Sequence, residues 1–321
     1  GVMFYSTMQA VYNSLIVHMT DAGGSQGEDE LAWLSAVQCA IGNGGAMIIM
    51  TLLGIADAKH SHQTLAHDQV ERDFFWSAVW FAVLALPLIY IYKEDPPAEK
   101  SPRKHGGLVS AARSAFAAFK LTLQNREMVK YMVATLIFSD ASSTLFSVYV
   151  IFGAQVGISN QTILACAIVN RWIGLAGGFL WYFLCRVIGA RMCYLVAMVL
   201  TLVAAVMCSM VRTDLHYQVM NIVLAVAGAG WYIFSRVLLA RLTTRANTAQ
   251  HFGFMAGVSR VSGMIGPVVY GGVVLLAGAR AGLVSLAVLA APALVLMANV
   301  DFEVGKQCAE SVPIPEAGDD P

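Results

Sequence analysis

The run MVKYMVATLIFSDASSTLFSVYVIFGAQVG, residues 128–157, is apolar between Lys130 and Gln155 except for Thr135, Ser139, Asp140 and the small hydroxyl residues after it. A helix that crosses a bilayer needs about 20 mostly apolar residues, and this run supplies them. A carboxylate at the centre of such a helix costs about 2.5 to 3.5 kcal/mol on insertion scales, so Asp140 is expected to have a partner or a role. Ser143, Thr144 and Ser147 follow it at i+3, i+4 and i+7, one continuous polar stripe on a helix. In lipid that stripe must face other protein or a water-filled cavity.

The rest of the chain has the same character. Of its 321 residues 58% are hydrophobic and 12% charged, and the mean hydropathy is +0.65, too little polar surface to coat a soluble globule. The formal net charge is zero, with neither zinc-finger spacing nor an aromatic-basic motif, which excludes a nucleic-acid role. Five of the six cysteines, Cys39, Cys166, Cys185, Cys193 and Cys208, fall in or beside apolar runs, and Cys308 lies in the polar tail. They read as packing residues rather than a disulfide framework. The opening GVMFYSTMQAVYNSLIV has no basic segment before a cleavage site, so no signal peptide is expected, and it fits a fragment that starts inside a helix.

By apolar length the expected spans are roughly 2–19, 32–56, 73–92, 128–153, 160–185, 190–211, 217–240, 251–277 and 281–300. One long polar connection, KEDPPAEKSPRKHGGLVSAARSAFAAFKLTLQNRE, separates the first three from the last six. Its Lys93, Lys100, Arg103, Lys104, Arg113, Lys120 and Arg126 place it on the cytoplasmic side by the positive-inside rule, together with the tail after residue 300. Within it Leu108, Val109, Ala112, Phe116, Phe119 and Leu123 recur at helical spacing, which suits either an interfacial helix or a solvated tether. The tail DFEVGKQCAESVPIPEAGDDP reads as disordered.

Two further charges sit near mid-membrane, Arg171 in NRWIGLAGG and Arg260 in GFMAGVSRVSGMIGP. Either one is a candidate counter-charge for Asp140, since consecutive helices tend to pack as neighbours. The group then either lines a cavity or is a compensated structural pair. Glycines recur in IGNGGAM, GLAGG and AGAGW and at Gly253, Gly257, Gly263, Gly266 and Gly271, with Pro267 beside Gly266. Small residues at this spacing let helices pack closely, and they also suit helices that bend or slide.

His60, His62 and His67 form no consistent metal-ligand set and read as a solvated loop. The sequon Asn160-Gln161-Thr162 sits too near a span for modification to be expected. There is no Walker loop, HExxH or GxSxG, so neither ATP-driven transport nor hydrolysis has a motif, and no cofactor or metal is expected.

The stretch LQNREMVKYMVATLIFSDASSTLFSV, and then GAGWYIFSRVLLARLTTRANTAQHFGFMAGVSRVSGMIGPVVYG, resembles the autophagy-related vacuole effluxer family of the major facilitator superfamily. Asn125, Arg126 and Asp140 match that family's Asn-Arg pair and the acidic residue of its seventh helix. Ser235 and Arg236 match its Ser-Arg, Phe252, Gly253 and Phe254 its aromatic-Gly-Phe, Arg260 its basic residue, and Gly266 and Pro267 its Gly-Pro. VYNSLIV, IGNGGAM and FFWSAVWFAVLALPLIYIYKE look like its fourth, fifth and sixth helices. Where the superfamily usually shows an acidic-basic pair before Gly, CRVIGAR has Arg186 and Val187.

The resemblance implies an all-α, polytopic membrane protein of major facilitator type with nine spans, three from the N-terminal half and six from the C-terminal half. Helices one to three of the twelve would be absent. The expected layout is a partial bundle over 1–93, a cytoplasmic linker over 94–127, a six-helix bundle over 128–300 and a tail over 301–321. The implied function is efflux of amino acids, neutral and apolar ones included, from vacuole or lysosome to cytosol by alternating access, with protons as a candidate coupling ion.

Asp140, Ser143, Thr144, Ser147, Arg171 and Arg260 are the expected cavity residues, and Arg236 and Arg241 the cytoplasmic gate or headgroup contacts. Gly253, Gly257, Gly263, Gly266 and Pro267 are the expected packing or hinge positions. The alternative is a non-transporting scaffold, receptor or truncated remnant. An intramembrane enzyme would need a second catalytic group facing Asp140, and the other midplane charges are arginines.

Overall fold

The computed structural model of the protein describes residues 25–58, 75–76, 79, 125–243 and 248–311. Its secondary structure there is helical. The helices are α1 (Ser25–Ala58), α2 (Arg126–Gln155), α3 (Asn160–Ile188), α4 (Ala190–Ser209), α5 (Asp214–Arg241), α6 (Thr248–Ser262), α7 (Ile265–Ala277), α8 (Ala279–Ala298) and α9 (Phe302–Ser311). Among the described residues five helices, α2, α3, α4, α5 and α8, are long and apolar enough to cross a membrane, which makes this a multi-pass membrane protein. The expected span at 2–19, nearly all of that at 73–92 and the amphipathic stretch at 108–123 lie outside the described residues.

Local chemistry sets the helix starts. The Asn125 side chain accepts the Met128 N–H at 3.1 Å, Ser159 Oγ accepts the Thr162 N–H at 3.1 Å, and Thr213 Oγ1 accepts the His216 N–H at 3.3 Å. Each satisfies an N–H that the first turn leaves orphaned. Gly189, at φ +80°, is at once the end of α3 and the start of α4, and Gly278, at φ +88°, joins α7 to α8 in the same way. A residue with a Cβ is strained at these angles, so single glycines turn the chain through both hairpins.

Packing pairs α1 with α3, α4 with α5, α3 with α5, α2 with α8, and α8 with both α4 and α7. Aromatic and aliphatic side chains form two apolar clusters stacked along the bundle. Met128 to Ala141 of α2 belong to the first, with Tyr194, Trp181, Phe234 and Phe302. Leu145 to Phe152 belong to the second, with Tyr217, Leu224 and Leu283. Between them runs a seam of buried polar residues: Asp140, Ser142 and Thr144 from α2 and Thr201 from α4.

Two sequence expectations need correction. The span expected over 251–277 is two helices, α6 and α7, separated by Gly263 and Met264. Pro267 lacks the N–H that would bond the Gly263 carbonyl four residues back, and its ring crowds that carbonyl, so the ladder stops there. The tail expected to be disordered is helical over Phe302–Ser311. Its composition is polar, but Phe302 finds a buried site and is only 4% exposed.

Candidate functional site

Asp140 is 3% exposed at the level of the polar seam. Its Oδ2 accepts the Gly266 N–H at 2.6 Å. Gly266 is the second residue of α7, in the first turn whose donors have no intrahelical acceptor and where the helix dipole is positive. The break at Gly263–Met264 thus creates a helix start whose Gly266 packs on α2, and the carboxylate is bound to it. The other oxygen, Oδ1, is buried without a hydrogen-bond partner among the described residues.

Gly266 fits because it has no side chain. A Cβ there would collide with Thr144 Oγ1 and lie 3.0 Å from the Asp140 carbonyl and 3.1 Å from Asp140 Oδ1. The Thr144 hydroxyl donates to the Asp140 carbonyl at 2.9 Å, which fixes it against α7.

The polar stripe divides into two. Asp140 and Thr144 are buried against α7, whereas Ser143 and Ser147 are exposed on the adjacent face. Ser143 donates to the Asp140 carbonyl at 3.0 Å and Ser147 to the Ser143 carbonyl at 2.8 Å, so these hydroxyls satisfy themselves within α2. Together they offer a polar face beside the carboxylate.

The expected ion pair between Asp140 and Arg171 is absent. Arg171 is exposed on α3, and Asp140 uses a backbone N–H instead. The two helices are consecutive but are not principal neighbours: α2 packs chiefly on α8, and α3 on α1 and α5. The Arg260 side chain lies outside the described residues, as do His60, His62 and His67. Among the described residues no group of three or more His, Cys, Asp or Glu side chains is placed to hold a metal ion. Asn160 opens α3, and the Thr162 hydroxyl of the sequon donates to Asp214 Oδ2 at 2.9 Å.

The two arginines near the end of α5 part company. Arg236, 7% exposed, donates from Nη1 to Gln38 Oε1 on α1, lies over the Tyr232 ring at 4.2 Å, and donates from Nε to the Tyr232 carbonyl at 3.2 Å. It therefore joins α5 to a helix from before the linker. Arg241 instead pairs with Glu303 of α9 at 2.5 Å.

That pair is one part of a docking surface for α9. The Phe302 ring has the Arg241 and Arg191 guanidiniums at 5.9 and 6.0 Å and the Tyr131 ring edge-on at 6.1 Å. Asn125 Nδ2 donates to the Gly305 carbonyl at 2.8 Å, and Glu127 Oε2 accepts the Asp301 N–H at 2.9 Å.

Of Gly253, Gly257 and Gly266, three of the expected hinge glycines, Gly266 is in close contact among the described residues. A Cβ at Gly253 or Gly257 would meet nothing among the described residues, and Pro267 is exposed. The glycines that pack tightly are elsewhere. Gly174 and Gly178 of α3 lie against Asn43 and the Ala36 carbonyl of α1, Gly177 against Ala229, Gly228 against Phe146, and Gly230 against the Trp181 indole. Gln38 was missed by the sequence reading, although a glutamine in the apolar run WLSAVQCAIG was a signal of the same kind as Asp140.

The family described as Vacuole effluxer Atg22 like matches residues 21–310 of the chain. A curated relative, the "Uncharacterized MFS-type transporter YxiO" of Bacillus subtilis (strain 168), is 21% identical over 242 residues, which cover 75% of this chain and 56% of the relative. The chain thus spans about half the length of the curated relative it matches.

Proposed function

The chain belongs to the Atg22-like vacuole effluxer family, and from that membership we propose a secondary transporter of the major facilitator type that exports amino acids from a vacuole or lysosome to the cytosol. The observation that carries this reading is the carboxylate of Asp140, buried at the polar seam and bound to the start of a helix that begins at a break in an expected span. Broken helices whose N-termini meet anionic groups are the usual way a transporter builds a polar site in lipid. Among the described residues no cation stands beside that carboxylate, and a purely structural core gains nothing from burying one so.

Alternating access needs parts that stay rigid and a contact that is made and broken. The rigid part is the α3–α5 pair, and the Arg236–Gln38 contact between α5 and α1 is the gate at the cytoplasmic end. Arg241, tied to α9, supports that end rather than closing it. Ser143, Ser147 and Arg171 lie on exposed faces and supply hydroxyls and a cation for an amino-acid substrate's ammonium and carboxylate groups.

The test is efflux from reconstituted vesicles loaded in turn with individual amino acids, neutral and apolar ones first. Asp140→Asn is expected to reduce efflux at least tenfold while the protein still elutes as a single species. Equal efflux by native protein and Asp140→Asn, or none from native protein for any amino acid, overturns the reading.

A further inference from the structure

The contact between Asp140 and Gly266 joins two helices through one group that gains or loses a proton and one that does not. We infer that the start of α7 is held to α2 by a proton-operated latch, closed when Asp140 is a carboxylate and released when it binds a proton. The inference deepens the transport reading by naming both the coupling ion and the element it moves.

In the closed state an anion accepts a 2.6 Å bond from the first turn of a 13-residue helix, so a charge-assisted hydrogen bond and the helix dipole act together. Oδ1 is the free position for the incoming proton, because Oδ2 is occupied by the Gly266 N–H and Oδ1 has no partner among the described residues. Once Oδ1 is protonated, Oδ2 becomes a neutral carbonyl oxygen. The bond then falls to about half its strength and the dipole attraction disappears.

What remains holds α7 to α8 rather than to α2. A Cβ at Gly282 of α8 would lie 2.6 Å from Val274 and 2.9 Å from the Tyr270 ring, so those two helices are in close register. Release at Gly266 therefore lets the start of α7 part from α2 while the α7–α8 hairpin stays together.

The surrounding elements supply no competing partner among the described residues. The titratable group of α7 is Tyr270, and the charged group of α8 is Arg280, which donates to the Val211 carbonyl at 3.4 Å. From α4, the Tyr194 hydroxyl reaches Thr135 at 3.5 Å. On α2 itself Tyr149 lies in the second apolar cluster, beyond Thr144. On α6 the groups are His251, at its far end, and Arg260, whose role the experiment isolates.

The latch is read by amide hydrogen exchange of the segment 263–270 in the full chain in lipid nanodiscs between pH 8 and pH 5, corrected for the intrinsic pH dependence of exchange. Native protein is expected to lose about tenfold in protection on acidification, the difference between a charged and a neutral hydrogen bond. Asp140→Asn, a neutral mimic of the protonated side chain, is expected to show low protection at both pH values, and Arg260→Gln to keep the acid response.

Constant protection in native protein overturns the latch, and that measurement stands even if Asp140→Asn does not fold. An acid response that survives in Asp140→Asn, or vanishes in Arg260→Gln, also overturns it by assigning the sensor elsewhere. Exchange is measured without substrate, so a latch that works in a protein that exports no amino acid would sink the transport reading alone.

Discussion

The α3–α5 pair and the α6–α7 pair are both rich in glycine and use it in opposite ways. In α3 and α5 the space that each Cβ would fill at Gly174, Gly177, Gly178, Gly228 and Gly230 is taken by a neighbour. In α6 and α7 the space at Gly253, Gly257, Gly271 and Gly272 is open among the described residues, and Gly266 alone is tightly met. The first pair gains close backbone approach, which in lipid replaces the hydrophobic driving force that helices lack there. The second keeps the low helix propensity of glycine without that contact, so it is the softer element. One residue type thus marks the rigid part of the bundle in one place and the yielding part in another.

The largest effect is expected where a rigid ring fills the space of the missing side chain. Gly230→Ala would place a Cβ 2.5 Å from the Trp181 indole, itself held by a 2.8 Å bond from its Nε1 to the Val226 carbonyl. A loss of about 3 kcal/mol is expected, read as a lower unfolding midpoint in detergent. An unchanged midpoint would show that α3 and α5 are not the rigid pair.

Gly266→Ala comes next, because the new methyl group pushes α7 off Thr144 and breaks the bond to Asp140. About 2 kcal/mol is expected, with loss of exchange protection confined to the start of α7. Loss spread evenly over the bundle would mean that α7 is not a separable element.

The smallest effect, and one of opposite sign, is expected at Gly257. With nothing in the way of a Cβ among the described residues, Gly257→Ala should stabilise α6 by about 0.5 to 1 kcal/mol and raise the midpoint slightly. A clear drop would show that this face is packed, and the contrast between the two pairs would fail.

Much of this was readable from the sequence. The helices over 126–241 are legible because each is a long apolar run, with α2, α3 and α5 opened by Asn125, Ser159 and Thr213, residues whose side chains cap a first turn, and α4 by Gly189. Helix α9 was not, because composition alone cannot foresee that Phe302 finds two guanidiniums and a tyrosine ring at the bundle's end. The break before α7 was hidden because averaged hydropathy treats 251–277 as one run, although Pro267 held the local signal.

At the site, Asp140 and its hydroxyl neighbours were legible as a costly polar stripe, but the carboxylate's partner was not. Scanning a sequence for counter-charges finds arginines. A backbone N–H freed by a broken helix carries no letter of its own, and its placement depends on which helices become neighbours.

The docking of α9 also has a consequence for how the protein is made. Asn125 and Glu127 stand at the start of α2, yet they bond to Gly305 and Asp301, separated by 180 and 174 residues. During synthesis those two side chains emerge from the ribosome long before their partners exist. At about 5 to 20 residues per second the wait is on the order of ten seconds or more. Until then α2 is inserted but unclasped, and the bundle becomes a closed unit only when its last segment has been translated.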